Sequence, residues 1–178
     1  MTRHDQTQPA RDIRILLVEH SPGDAEWTLH GFRERGFAHH VMHVMDGIAA
    51  LNFLFGGGTA GGGNPLLSTR LVLLELDMPG LNGFEVLRRL KAHQHGSRIP
   101  VVILTRSRDE RDLRAAYLLG ANSYLVKPDT FQEYTDAVTR IGFNWISANE
   151  ADPGPSLPES HSLTSTHSLS NAVHIARL

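Results

Sequence analysis

Five short β-branched and aliphatic runs alternate with segments that carry helix-start signals, and this alternation leaves few folds open. The runs are Ile13–Val18, Val41–Val44, Leu71–Leu76, Val101–Leu104 and Ser123–Val126, each too short for a buried helix. Between them, Ser21-Pro22-Gly23-Asp24 supplies a capping hydroxyl, a proline at the first helical position and an acid at the third. Asn82 to Glu85, Ser107 to Glu110 and Thr130 to Glu133 repeat the cap-and-acid spacing, and Asp46 caps a further segment. Leu113, Ala116, Tyr117 and Gly120 fall on one helical face, as do Phe131, Tyr134, Val138, Ile141 and Trp145. Strand–helix pairs in this order require right-handed crossovers and a parallel sheet covered on both sides. The expected fold is α/β, a doubly wound five-stranded parallel sheet with five helices.

A chain of 178 residues has room for one such domain and two tails. We place the domain at 12–148, a polar N-terminal tail at 1–11 and a flexible or arm-like tail at 149–178. The net charge of -2 gives no reason to expect nucleic acid or a membrane as partner. The absence of cysteine excludes disulfides and thiolate chemistry. The polar start of the chain carries no signal-peptide pattern, and no apolar run approaches membrane-spanning length, so a cytoplasmic location is expected.

Doubly wound folds place their sites at the carboxyl ends of the strands. There the chain puts Glu19 and His20, Glu75 and Asp77, Thr105, and Lys127. Burying three acids and an ammonium without purpose would cost several kcal/mol of desolvation unless every group were paired. A solvated loop rim explains each residue singly but explains their joint placement poorly.

Val18-Glu19 after an aliphatic strand, Leu76-Asp77-Met78-Pro79 followed by Gly83, Leu104-Thr105, and Ala121-Asn122-Ser123-Tyr124-Leu125-Val126-Lys127-Pro128 together resemble the receiver domains of response regulators. The Glu19 to Asp24 segment, the long connection after the second helix and the Phe143/Trp145 ending resemble the single-domain regulators of bacterial phytochromes. The resemblance implies a flavodoxin-like receiver fold in which a strand-end aspartate takes a phosphoryl group from a sensor histidine kinase. An acidic pair and a divalent metal assist, while Thr105, Tyr124 and Lys127 match the phosphoryl-binding and switch positions. Metal and ammonium charge are needed because a carboxylate attacking phosphorus meets another anion.

Two positions depart from that pattern. The acceptor position, four residues before Pro79, is Glu75. Its extra methylene moves the carboxylate by about one carbon–carbon bond, and in-line transfer tolerates error on the order of an ångström. The second member of the acidic pair is His20, which replaces a hard oxygen ligand with a nitrogen. Glu19 and Glu75 remain as ligands for a weak Mg²⁺ or Mn²⁺ site, with Zn²⁺ an option if His20 joins them, and no cofactor is required. Paired with Lys127 or Thr105, Glu75 would hold an active-like state, while Arg106 would plug the pocket.

The resulting expectation is an atypical single-domain regulator that acts through protein contacts, with impaired or absent phosphorylation. The alternatives are a conventional phosphoacceptor using Glu75 or Asp77, and a small metal-dependent hydrolase on the same fold. Expected partners are a sensor kinase, including a bacteriophytochrome, and a second copy bound through the last helix, where Phe143 and Ile146 lie off the apolar seam. Trp27 and Leu29 are about 200° apart on the first helix, so at least one should be free to dock a protein. The polar tail cannot supply a helix-turn-helix domain.

Other signals carry less. Gly56 to Gly61 fits the dinucleotide glycine pattern but in the wrong context, so it is expected to be a flexible loop. His39, His40, His43, His161, His167 and His174 lack metal spacing and are expected to be solvated. Arg108, Arg111 and Arg114 interleave with acids and should form a charged solvent face.

Overall fold

The computed structural model describes residues 14–56 and 64–149. Five parallel strands, β1 (Ile15–Val18), β2 (Val41–Val44), β3 (Leu71–Leu74), β4 (Val101–Thr105) and β5 (Ser123–Val126), form one sheet in the order β2-β1-β3-β4-β5. The chain steps from β1 outward to β2 and then back across to β3. The winding therefore reverses beside β1 and β3, where a doubly wound sheet opens a crevice at its carboxyl end.

The helices are α1 (Pro22–Glu34), α2 (Gly47–Phe55), α3 (Pro65–Ser68), α4 (Gly83–Ala92), α5 (Glu110–Leu118) and α6 (Phe131–Asn149). Period-two alternation sorts the strand side chains into two core layers. Leu16, Val18, Val72, Leu74, Val101 and Ile103 pack with α2, α4 and Ala116 of α5. Ile15, Leu17, Leu71, Leu73, Val102 and Leu104 pack with α1 and α6 through Ala25, Phe32, Tyr134 and Val138. Burial on both faces explains why these strands read as continuous aliphatic runs.

The fold class stands, with local corrections. Among the described residues there are six α-helices and not five, because Asn64 caps a single turn led by Pro65. β3 ends at Leu74, so Glu75 and Leu76 lie beyond it, and β4 continues through Thr105. Asp109, not Ser107, caps α5 by accepting from the Arg111 N–H. The Ser107 hydroxyl instead donates to Asp112. Of the face assigned to α5 only Ala116 is buried; Leu113 and Tyr117 are exposed, and Gly120 lies past the helix at φ 96°. Helical spacing shows which residues share a face but not how much of it a neighbour covers.

Trp27 and Leu29 are both half-buried against the α1–α6 core layer, and Trp27 meets Phe131 and Tyr134 edge-on at 5.5 and 5.8 Å. Neither is left free, because α6 covers α1 broadly. The N-terminal tail, the C-terminal tail beyond Asn149 and most of the Gly56 to Gly61 segment lie outside the described residues.

Candidate functional site

Glu19, Glu75 and Lys127 are each the first residue past their strands, β1, β3 and β5. Each still donates its backbone N–H to a neighbouring carbonyl, of Val44, Val18 and Thr105 respectively, at 3.0, 3.0 and 2.8 Å. The sheet thus fixes three charged side chains at one end. Gly83, the first residue of α4, packs so closely beneath this end that a Cβ there would collide with the Glu75 carbonyl. That contact explains the glycine after the Leu76 to Pro79 loop.

The Lys127 ammonium lies at the centre, 2.5 Å from Glu19 Oε2, 2.5 Å from Glu75 Oε2 and 2.9 Å from Asp24 Oδ2, with its side chain 1% exposed. The outer oxygens also have donors. Glu19 Oε1 accepts from the Ser21 N–H at 2.8 Å, and Asp24 Oδ1 from Arg106 Nη2 at 2.8 Å. Glu75 Oε1 accepts from the N–H groups of Leu76 and Asp77 at 2.7 and 3.1 Å. The Glu75 side chain therefore folds back onto its own loop and joins that loop to Lys127.

Burial alone would push Lys127 down, but the adjoining Glu19 and Glu75 carboxylates outweigh it and hold its pKa above the ordinary lysine range. Asp24 shows the same contest, and there too the opposing charges prevail. Burial would raise it, yet the Lys127 ammonium and the Arg106 guanidinium hold its carboxyl below the usual value. Such a cluster persists only because each charge is paired and hydrogen-bonded.

Sequence reasoning missed Asp24 as a member of this site and read it as a helix-start acid. The available signal was its place in the first turn of a helix that begins beside the β1 end. Two residues named in the acidic pocket stand outside the cage. Asp77 is exposed, since β3 has ended before it and alternation no longer aims its side chain. His20 is half-exposed; its Nδ1 lies 3.7 Å from Glu19 Oε1, shielded from solvent and without a hydrogen-bond partner among the described residues. His43 departs from the solvated reading, because its Nε2 donates to the Glu19 carbonyl at 2.9 Å.

Thr105 and Tyr124 form a second group on the β4–β5 side. The buried Thr105 hydroxyl accepts from the Ser107 N–H at 3.2 Å, and the Tyr124 hydroxyl donates to the Ser107 carbonyl at 3.1 Å. Thus Lys127, not Thr105, is the partner of Glu75. On the opposite side, Thr28 Oγ1 donates to the Asp24 carbonyl at 2.9 Å and lies 2.9 Å from Tyr134 Oη. Burial pushes the Tyr134 phenol up to about 12. A cavity of about 670 Å³ opens above the cage, rimmed by His20, Asp77, Asn82, Phe84, Arg106 and Asp112.

The resemblance implies Mg²⁺ or Mn²⁺ here, and the donor set as arranged does not fit one. Each oxygen of Glu19, Asp24 and Glu75 already accepts from a protein donor. A hard divalent ion needs free oxygens and readily keeps waters on its remaining positions. Among the described residues no group of three or more acids or histidines is disposed to hold a metal.

Comparison with known proteins agrees with this architecture. The family model for the response regulator receiver domain matches residues 15–139. The chain is 40% identical over 141 residues to a probable methanogenesis regulatory protein, FilR2, of Methanothrix harundinacea, covering 79% of this chain and 88% of that protein. It is 34% identical over 142 residues to the response regulator Rcp1 of Synechocystis, covering 80% and 93%. The solved Mn²⁺-bound form of Rcp1 matches with a TM-score of 0.67 at 33% identity, covering 81% of this chain and 99% of that one. The phosphorylated cyanobacterial phytochrome response regulator RcpA matches with a TM-score of 0.69 at 31% identity, covering 76% and 95%. With the family model spanning most of the sheet and helices, and relatives matched over nearly their full length, this chain belongs to the response regulator receiver domain family.

Proposed function

We propose that this receiver of two-component signalling is an atypical one, which acts through protein contacts and accepts a phosphoryl group poorly or not at all. The observation that carries the reading is the state of the Glu75 carboxylate, with one oxygen on Lys127 and the other on two backbone N–H groups. Attack on phosphorus through either oxygen would require it to leave Lys127 or the two backbone N–H groups, from a side chain one methylene longer than the aspartate of the family pattern. Arg106, drawn across to Asp24, adds a charge-paired bridge between the β4–α5 loop and α1 at the mouth of the cavity.

Likeness to the cyanobacterial phytochrome response regulator RcpA supports a sensor histidine kinase of the phytochrome class as partner, and a cytoplasmic location belongs to the same reading. The domain boundaries at 12–148 belong to the same reading. So does a homodimer through the last helix, where Phe143 is half-exposed and meets Phe37 at 6.4 Å.

The test is incubation with acetyl phosphate and Mg²⁺ followed by intact-mass measurement, run beside Glu75→Asp. The expected result is no phosphoryl adduct on the wild-type chain. An adduct mapped to Glu75 or Asp77, formed as fast as on the aspartate variant, would restore the conventional reading. Turnover of a generic phosphatase substrate with added metal would favour a hydrolase. If Glu75 holds an active-like state, Glu75→Asp should weaken partner binding measured without phosphodonor.

A further inference from the structure

We propose that Lys127 is the resident cation of this pocket, with Asp24 as its third carboxylate, so that the folded receiver has no need of a divalent metal. The inference rests on the pocket described above but can fail separately from the phosphorylation reading. Its basis is the mismatch between the donors present and the metal that the family pattern implies. Where that pattern has a second acid after β1, this chain has His20, and His20 turns no oxygen toward the centre. The acid arrives instead from the first turn of α1, as Asp24.

Three carboxylates therefore surround one point from β1, α1 and β3, and the ammonium of β5's following residue fills it at 2.5 to 2.9 Å. A hard metal would seek the same three carboxylates, but at the shorter distances of about 2.0–2.6 Å. The outer oxygens of the same three groups are committed to Ser21, to Arg106 and to the Leu76–Asp77 backbone. A divalent ion can enter only by expelling Lys127, and it would leave that ammonium buried without its partners. Asp24 is thus a positioning residue: it completes the cage and, through Arg106, ties the β4–α5 loop over it.

The test uses the full chain and Mn²⁺ itself, with binding read from the paramagnetic resonance of free Mn²⁺ and from the melting temperature at matched ionic strength. The wild type should show no saturable binding and no rise in melting temperature with Mn²⁺, and no loss with chelator. Lys127→Gln should bind Mn²⁺ at least about tenfold more tightly than the wild type, because the cage then has three carboxylates and no cation. Adding Asp24→Asn to that variant should abolish the gain, an effect that simple loss of packing would not produce. Saturable Mn²⁺ binding by the wild type as tight as by Lys127→Gln would overturn the proposal, as would a gain unaffected by Asp24→Asn. If Lys127→Gln does not fold, the wild-type titration still decides. A wild-type chain that binds Mn²⁺ yet takes no phosphoryl group would sink this inference and leave the proposed function standing.

Discussion

The chain has two lysines, and they lie at opposite ends of the sheet in opposite electrostatic surroundings. Lys127 follows β5 and reaches three carboxylates. Lys91, near the end of α4, reaches the Ser97 carbonyl at 3.3 Å, the Ile99 carbonyl at 2.7 Å and Asn122 Oδ1 at 3.2 Å, ahead of β4 and β5. Each ammonium thus has three oxygen partners. Burial lowers the pKa of Lys91, whereas the surrounding anions raise that of Lys127. The charge on the acceptors, not their number, decides whether a sheltered lysine keeps its proton.

Several substitutions would sharpen or break this contrast. Lys127→Met leaves three acids facing one another and should cost about 3–5 kcal/mol of stability in urea unfolding. Asp24→Asn keeps the shape but removes one partner from Lys127 and Arg106, and should cost about 1–2 kcal/mol. Lys91→Met loses bonds to neutral acceptors while keeping an apolar stem against the fold, and should cost about 1 kcal/mol. A cost for Lys91→Met equal to that for Lys127→Met would end the contrast.

The pH dependence follows from the directions of the shifts. Lys127, raised in the folded state, contributes stability that is full below 10.5 and is lost as pH climbs through its higher folded value. Lys91, lowered when folded, acts in the opposite sense, and stability rises between its folded value and 10.5. Asp24, lowered in the fold, contributes stability present above 3.8 that is lost as pH falls through its folded value. Asp24→Asn should remove that part of the acid loss, as read from urea midpoints across the acid range. The smallest effect belongs to the exposed pair of Arg114 with Glu110, where Arg114→Ala should leave the unfolding midpoint unchanged within error, despite a distance of 3.0 Å.

The strand ends made Glu19, Glu75, Thr105 and Lys127 legible, because a parallel sheet brings its carboxyl termini together whatever the loops do. Asp24 was not legible as a site residue, since an acid in the first turn of a helix already has a sufficient local reason to be there. Asp77 is exposed because strand alternation holds only within a strand, and β3 stops at Leu74. Ser107 and Asp109 both suit a helix cap; Asp109 accepts from the Arg111 N–H inside α5, whereas the Ser107 hydroxyl accepts from the Asp109 N–H ahead of the helix and donates to Asp112. Arg108, Arg111 and Arg114 form the expected exposed charged face, each paired with an acid.

With only two lysines in the chain, side-chain ammonium NMR reads the pocket directly, and Lys91→Met assigns the signals. Lys127 should give a slowly exchanging ammonium resonance that persists above the ordinary lysine titration range and stays in place when Mg²⁺ is added. A resonance that exchanges with water like that of a surface lysine, or that moves saturably with Mg²⁺, would contradict a carboxylate-held internal cation.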